Sequence, residues 1–247
     1  MKNKIIELGY SNREVEELLN VSKDIESDYK KLLKKYPIQY LIGYVNFYGY
    51  KIIVNENVLI PRYETEFLVE KTIKYYKKVF VDKKIDILDL GTGSGAIAIA
   101  LAKNINSNVT GVDISKEALK VAKNNAKINN ISIKLIQSNM LEKIKDKYDV
   151  IISNPPYVDI NEEVEESVQM YEPNIALYAS NKGLYYYDNI LKNVRKNLKD
   201  KFIIAFEIGY LQAHSIKNII DRYLKNVNVI IEKDLSMKDR YIFIISE

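Results

Sequence analysis

The 247-residue chain has no cysteine, no tryptophan and a single histidine, His214. Without cysteine there is no disulfide framework, no Cys-ligated zinc or iron–sulfur cluster, and no thiol nucleophile. One histidine removes most metal-site and Ser-His-Asp arrangements as well. No apolar run approaches the ~18 residues of a membrane-spanning helix. The opening Met1–Glu7 lacks the uninterrupted apolar core and small-residue cleavage site of a signal peptide. A dominant charge is lacking too, because 37 Lys and Arg against 33 Asp and Glu leave only +4. That balance tolerates an anionic partner but is far from the dense basic charge of a dedicated nucleic-acid binder. A soluble, cytoplasmic protein with no membrane attachment is expected.

What is present falls into two textures. From Ser11 to Lys35 the pattern is helical, with Ser11 or Asn12 as N-cap and apolar residues such as Val15, Leu18 and Leu32 at helical spacing. Pro37 ends that region, and Tyr40–Val54, aromatic and β-branched with interrupting glycines, reads as a β-hairpin. A helix is expected from about Tyr63–Thr65 to Val79. From Ile85 onward, short strands alternate with amphipathic helices. The predicted strands are 85–90, 108–112, 132–136, 148–153, 202–207, 228–231 and 240–246, with helices over 95–104, 116–128, 183–198 and 211–224. Helix-length connections imply βαβ units and a mostly parallel α/β sheet. The link between the last two strands is too short for a parallel crossover, so that pair is expected to be antiparallel. With no internal repeat or low-complexity linker, the first ~60 residues read as a helical and hairpin appendage to the sheet domain.

Two segments carry chemistry. The first joins strand to helix through Asp89-Leu90-Gly91-Thr92-Gly93-Ser94-Gly95. Glycines there let the backbone turn sharply and a ligand approach closely. Asp113 ends the next strand about 18 residues on, where a carboxylate can accept hydrogen bonds from ribose hydroxyls. Together they read as a site for an adenosine-type nucleoside, against the alternative of a purely structural glycine turn. They do not choose the cofactor, because Gly91-x-Gly93-x-x-Ala96 also satisfies a relaxed dinucleotide fingerprint.

The second segment is the apolar strand Tyr148–Ser153 running into Asn154-Pro155-Pro156-Tyr157. Two prolines lock φ and lack an N–H, so the chain leaves the sheet stiffly. Asn154 and the Pro155 carbonyl can then present oxygen acceptors to an N–H₂ group while Tyr157 stacks on a planar amide or base. Gripping both hydrogens orients the delocalised nitrogen lone pair toward an electrophilic methyl and stabilises the charge that develops. A dinucleotide-dependent oxidoreductase would leave this element unexplained, and a binding module without catalysis would have no need of Asn154.

The chain resembles the peptide chain release factor N5-glutamine methyltransferases. The resemblance runs from about Pro37 to the C-terminus, through Pro37–Gly43, Leu59–Glu66, Asp89–Ile97, Asn154–Tyr157, Tyr171-Glu172-Pro173, Glu207–Tyr210 and Lys233–Arg240. It implies a Rossmann-like class I methyltransferase fold with a seven-stranded sheet. Residues 1–36 would be a shortened substrate-docking helical region, 37–60 a β-hairpin linker and 61–247 the methyltransferase domain. S-Adenosylmethionine would be held by Gly91, Thr92, Gly93, Ser94 and Gly95, its ribose by Asp113 and its adenine near Asn139 and Met140. Asn154 would bridge methyl donor and substrate, with Pro155, Pro156 and Tyr157 completing a glutamine pocket and Arg62 and Glu64 as further substrate contacts. The substrate implied is the glutamine of the Gly-Gly-Gln loop in class 1 release factors, with a monomeric enzyme and no stable nucleic-acid binding. The alternative is an amino-methyltransferase acting on adenine N6 or cytosine N4 of DNA or RNA, which shares the Asn-Pro-Pro-Tyr element. Tyr63 and Asn139-Met140 depart from the family pattern, which has a second proline and an acidic-plus-aromatic pair there. Charge patterning alone reads Glu64 and Glu66 as a first-turn complement to the helix dipole, and Glu207 as either a crevice or a structural carboxylate.

Overall fold

The computed structural model describes residues 1–247. Its N-terminal region is three helices, α1 (Lys2–Ile6), α2 (Asn12–Val21) and α3 (Ile25–Leu32), where one helical stretch was expected. Ser11 opens α2 with a reciprocal capping box to Glu14. Asp24 then caps α3 through the Ser27 N–H, so a start signal inside the stretch divides it. The segment read as the first strand of the hairpin begins instead with α4 (Ile38–Ile42), bracketed by Pro37 and a left-handed Gly43. Ile5, Val15, Leu18, Leu32, Ile38 and Ile42 form the small core that holds these helices together. The hairpin itself is β1 (Tyr44–Phe47) and β2 (Tyr50–Ile53), joined across Tyr48-Gly49.

The helix α5 (Tyr63–Phe80) leads into β3 (Ile85–Leu90), followed by α6 (Ala96–Asn104), β4 (Ser107–Asp113), α7 (Lys116–Ile128), β5 (Lys134–Gln137) and β6 (Tyr148–Ser153). Three short elements come next: the strands β7 (Val158–Asp159) and β8 (Tyr178–Ala179), which form a two-residue parallel pair that the sequence pattern does not show, and between them α8 (Glu166–Tyr171), which starts at the end of the acidic run Asn161–Glu166. The chain closes with α9 (Tyr185–Asn193), β9 (Leu198–Glu207), α10 (Ala213–Tyr223), β10 (Val227–Lys233) and β11 (Asp239–Ser246). A 3₁₀ turn over 194–197 separates α9 from β9, which starts at Leu198 rather than Phe202.

The seven-stranded sheet has the order β10-β11-β9-β6-β3-β4-β5. It is parallel from β9 to β5, and β11 is antiparallel to both neighbours. Alternation along the strands divides the core: Ile87, Val150, Ile152, Ile203 and Ala205 pack with α5 and α6 on one face. Leu88, Leu90, Ile151, Ile204 and Phe206 pack with α9 and α10 on the other. The chain winds outward from β3 through β4 to β5 and then returns to place β6 on the far side of β3. That reversal opens a crevice beyond the carboxyl ends of β3 and β6, where open α/β sheets bind ligands. Leu90 pairs with Ser153 there, so the glycine loop and Asn154-Pro155-Pro156-Tyr157 emerge side by side. No helix is long and apolar enough to cross a membrane.

Candidate active site

The glycine loop is folded by its own polar groups. The Thr92 hydroxyl donates to Asp89 Oδ2 at 2.6 Å, and the Thr92 N–H donates to the Val112 carbonyl at 2.8 Å. Asp89 is fully buried, and burial raises its pKa to about 7 against the opposing Thr92 hydrogen bond. The Gly93 N–H donates to Asp113 Oδ2 and the Ser115 N–H to Asp113 Oδ1, both at 2.8 Å. Burial nonetheless raises the Asp113 pKa.

Above this loop lies a cleft with about 680 Å³ of open space, continuous with solvent. Gly91, Gly93, Asp113, Asn139, Met140, Asn154 and Pro156 line it. Gly91 and Gly93 have φ of 70° and 52°, and a Cβ on Gly93 would meet nothing within 4 Å, so that side of the loop is open to a ligand. Each Asp113 oxygen keeps a lone pair for a hydroxyl, and Val58, Ile114, Ala118 and Met140 give an apolar wall for a flat base. These residues fit S-adenosylmethionine. Three of the expected cofactor contacts lie behind the surface. Thr92 is turned onto Asp89, the Ser94 carbonyl accepts from Asn125, and Gly95 packs on Ala122. Asn57, Val58, Ile175 and Tyr186 also line the cleft and carry no signal in the sequence, since they come from loops and a helix distant in the chain; Leu59, which opens the Leu59–Glu66 motif, lines it too.

A second cavity of about 360 Å³ lies against the first, and Asn154 lines both. Its walls include Arg62, Pro155, Tyr157, Leu177 and Glu207. Asn154 Nδ2 donates to Thr65 Oγ1 at 3.2 Å, and the Thr65 hydroxyl donates to Glu207 Oε2 at 2.7 Å. The Tyr157 hydroxyl reaches Glu207 Oε1 at 3.4 Å. Burial raises the Glu207 pKa to about 7, with the Thr65 hydrogen bond and Arg240 opposing. Burial beside the Glu207 carboxyl also pushes the Tyr157 phenol up, so it stays protonated. The proline corner is braced from behind, where the Tyr157 carbonyl accepts from Gln212 Nε2 at 2.9 Å.

Arg62 lines this cavity but is engaged by Glu172, a buried carboxylate that also accepts from the Ile60 N–H at 3.0 Å. Glu64 does not join it. Its side chain is exposed and lines neither cavity; only its backbone carbonyl is used, accepting from the Tyr241 hydroxyl at 2.8 Å. Successive helix positions are turned by about 100° from one another, and here Thr65 takes the inward position. Thr65, Glu172 and Gln212 were not legible as site residues, because each acts through a partner far away in the chain.

Residues 65–176 match the family model described as the methyltransferase small domain. The release factor glutamine methyltransferase of Lactococcus lactis is 44% identical over 216 residues, covering 86% of this chain and 78% of that protein. Its counterpart from Bacillus subtilis is 42% identical over 213 residues, covering 83% and 74%. In fold, the chain is similar to a methyltransferase from Pyrococcus furiosus, with a TM-score of 0.58 and 20% identity over 80% of this chain and 89% of that one. It is likewise similar to a Thermus thermophilus 16S rRNA methyltransferase solved with AdoMet and guanosine, with a TM-score of 0.58 and 14% identity over 83% and 50%. Identity at this level over most of both chains, on a sheet that places the glycine loop beside the proline corner, makes the chain a member of the release factor glutamine methyltransferase family.

Proposed function

We propose that this protein methylates the side-chain amide nitrogen N5 of a glutamine in a translation release factor, the glutamine of the Gly-Gly-Gln loop in class 1 factors. The observation that carries this reading is the position of Asn154, which lines the cleft fitting S-adenosylmethionine and also the smaller cavity beside it. When bound, S-adenosylmethionine supplies a sulfonium-borne methyl group as the electrophile. Gly91, Gly93 and Asp113 would hold it, with Met140 and Asn139 beside the base.

The residues of the smaller cavity act on the acceptor. A carboxamide nitrogen is a weak nucleophile because its lone pair is delocalised into the carbonyl. Asn154 Oδ1 and the Pro155 carbonyl accept its two N–H bonds, which fixes the direction of that lone pair. As the nitrogen–carbon bond forms, the methyl–sulfur bond would break and the sulfur leave as a neutral thioether; positive charge grows on the nitrogen and both hydrogen bonds strengthen, so they stabilise the transition state more than the ground state. The nitrogen, now strongly acidic, then loses one proton to water and becomes the neutral N-methyl amide. Tyr157, protonated throughout, offers its ring as a wall for the planar amide.

The test is incubation with methyl-labelled S-adenosylmethionine and, in separate reactions, a class 1 release factor, the same factor with its Gly-Gly-Gln glutamine replaced, and DNA or RNA. Label on the intact factor alone is expected. Label on nucleic acid instead would favour adenine or cytosine amino groups as the substrate.

A further inference from the structure

Asn154 can do its work only in one of two orientations. Its carboxamide is nearly symmetric in shape, with an acceptor oxygen on one side and a donor N–H₂ on the other. Rotated by half a turn, it would set its own N–H₂ against the N–H₂ of the acceptor and repel what it must grip. Proline rigidity fixes the backbone at this corner but not that side-chain torsion, so something else has to select the orientation.

The sheet places two residues where they can. Ser153 and Phe206 are paired at the ends of β6 and β9, which leaves Asn154 and Glu207 emerging next to each other. Glu207 is in turn paired with Tyr241, whose hydroxyl holds the Glu64 carbonyl in the first turn of α5 and so brings Thr65 over the same strand ends. The donors run one way: Asn154 Nδ2 to Thr65 Oγ1 at 3.2 Å, then the Thr65 hydroxyl to Glu207 Oε2 at 2.7 Å. Thr65 and Glu207 are buried, so water does not substitute for either partner.

We infer that Thr65 and Glu207 are positioning residues that select the catalytic orientation of Asn154, turning its Oδ1 toward the acceptor amide. The inference rests on the proposed methyl transfer to a glutamine amide. A threonine hydroxyl by itself is indifferent, since it can donate to Oδ1 or accept from Nδ2. Glu207 in its ionised form removes the choice: a carboxylate oxygen can only accept, so it takes the one proton Thr65 has to give, which leaves Thr65 able only to accept from Asn154. The Glu207 backbone is held as well, because its carbonyl accepts from the buried Tyr187 hydroxyl at 2.7 Å. The carboxylate therefore acts through two hydrogen bonds on an atom it does not touch.

The experiment compares Thr65→Val, Thr65→Ser and Glu207→Gln with the unaltered full-length protein, using the release factor as methyl acceptor. Thr65→Val keeps the shape and removes the hydroxyl, and kcat is expected to fall about 10–100-fold, the usual loss when a supporting partner of a reactive group is removed. Glu207→Gln is isosteric but can donate to Thr65 and so permit the wrong rotamer, with a loss of similar size. Thr65→Ser retains the donor and acceptor and is expected to recover most of the turnover lost in Thr65→Val. The Kd for S-adenosylmethionine, measured calorimetrically, should stay within about threefold in all three variants, because neither residue lines the cofactor cleft, and KM for the release factor should stay within about threefold in Thr65→Val, because Thr65 lines neither cavity. In an Asn154→Ala background the further loss from Thr65→Val should vanish, since there is no carboxamide left to orient.

Three outcomes would overturn the inference: unchanged kcat in Glu207→Gln, full multiplicative losses in the Asn154→Ala background, or a cofactor Kd that rises in step with the fall in kcat. If Thr65→Val is found unfolded by circular dichroism, the pair Glu207→Gln and Thr65→Ser decides alone. Failure of the unaltered protein to label the release factor would instead sink the functional reading, so the two failures are told apart in one assay.

Discussion

Asn125 holds Ile53 by both of its backbone groups, accepting the Ile53 N–H on Oδ1 at 2.7 Å and donating from Nδ2 to the Ile53 carbonyl at 2.9 Å. The same Nδ2 donates to the Ser94 carbonyl at 2.9 Å. One fully buried side chain on α7 thus ties the end of the hairpin to the glycine loop. Replacement by leucine fills the space but leaves an N–H and two carbonyls without their partner. A loss of about 1–3 kcal/mol of stability is expected in urea melts, with weaker S-adenosylmethionine binding by calorimetry. Unaltered cofactor affinity would show that the loop keeps its shape without this tie.

Gly183 supports the proline corner from below. A Cβ there would stand 2.0 Å from the Tyr157 carbonyl oxygen, and its φ of +76° is itself unfavourable for other residues. Gly183→Ala must therefore displace Tyr157, and methylation of the release factor is expected to drop by more than about tenfold together with a lower Tm. An alanine variant with normal turnover would mean that the corner tolerates movement.

Asp113 and Asn154 should separate binding from chemistry. Asp113→Ala removes the acceptor facing the cleft and the anchors of the Gly93 and Ser115 N–H groups. Its main effect should be on the cofactor Kd, by about tenfold or more. Asn154→Ala is expected to leave only a small, still measurable residual turnover while keeping much of the cofactor affinity, and near-normal turnover would refute the amide-gripping mechanism.

The buried carboxyls Asp89 and Glu207 make stability fall as the solution becomes less acidic. Burial holds both near a pKa of about 7 in the folded protein, above the ~4 of the unfolded chain. Between these values the folded state binds more protons than the unfolded state. Their stabilising contribution is therefore complete below the unfolded pKa and is lost as pH rises through about 7. The groups that face Glu207 are Thr65, Tyr157, Arg240 and Glu64, and of these Arg240 favours ionisation while Glu64 opposes it. Tm measured from pH 5 to pH 8 should decline, and Glu207→Gln should flatten the slope. Salt-bridged carboxylates such as Asp86 and Asp234 are shifted downward and lose their contribution only at acid pH, outside that window.

The strand-and-helix alternation after Ile85, the antiparallel closing pair and the two loops at the sheet's switch point were legible because each follows from local pattern. The N-terminal helices were misjudged where two signals competed. Asp24 starts a helix inside an apparently continuous pattern, and Pro37 with Gly43 encloses one turn of helix in a segment whose composition favours strand. The pair β7–β8 is too short to show any period. Of the residues lining the two cavities, Asp113, Asn154, Pro155, Pro156 and Tyr157 belong to legible motifs, whereas Asn139 and Met140 are reached only through the family resemblance, whose pattern they depart from. The Arg62–Glu172 ion pair and the Asn154–Thr65–Glu207 relay join residues dozens to more than a hundred positions apart. Nothing in local spacing announces such contacts, and the motif does not distinguish exposed Glu64 from its inward-facing neighbour Thr65.

An open sheet must also protect its two margins. The outermost strands are β5, only four residues long, and β10, which ends in Glu232 and Lys233 with an irregular register between them. A short rim on one side, and a charged, kinked one on the other, offer a poor template for a foreign strand. The molecule can thus hold a broad apolar interior at low net charge and still resist edge-to-edge aggregation.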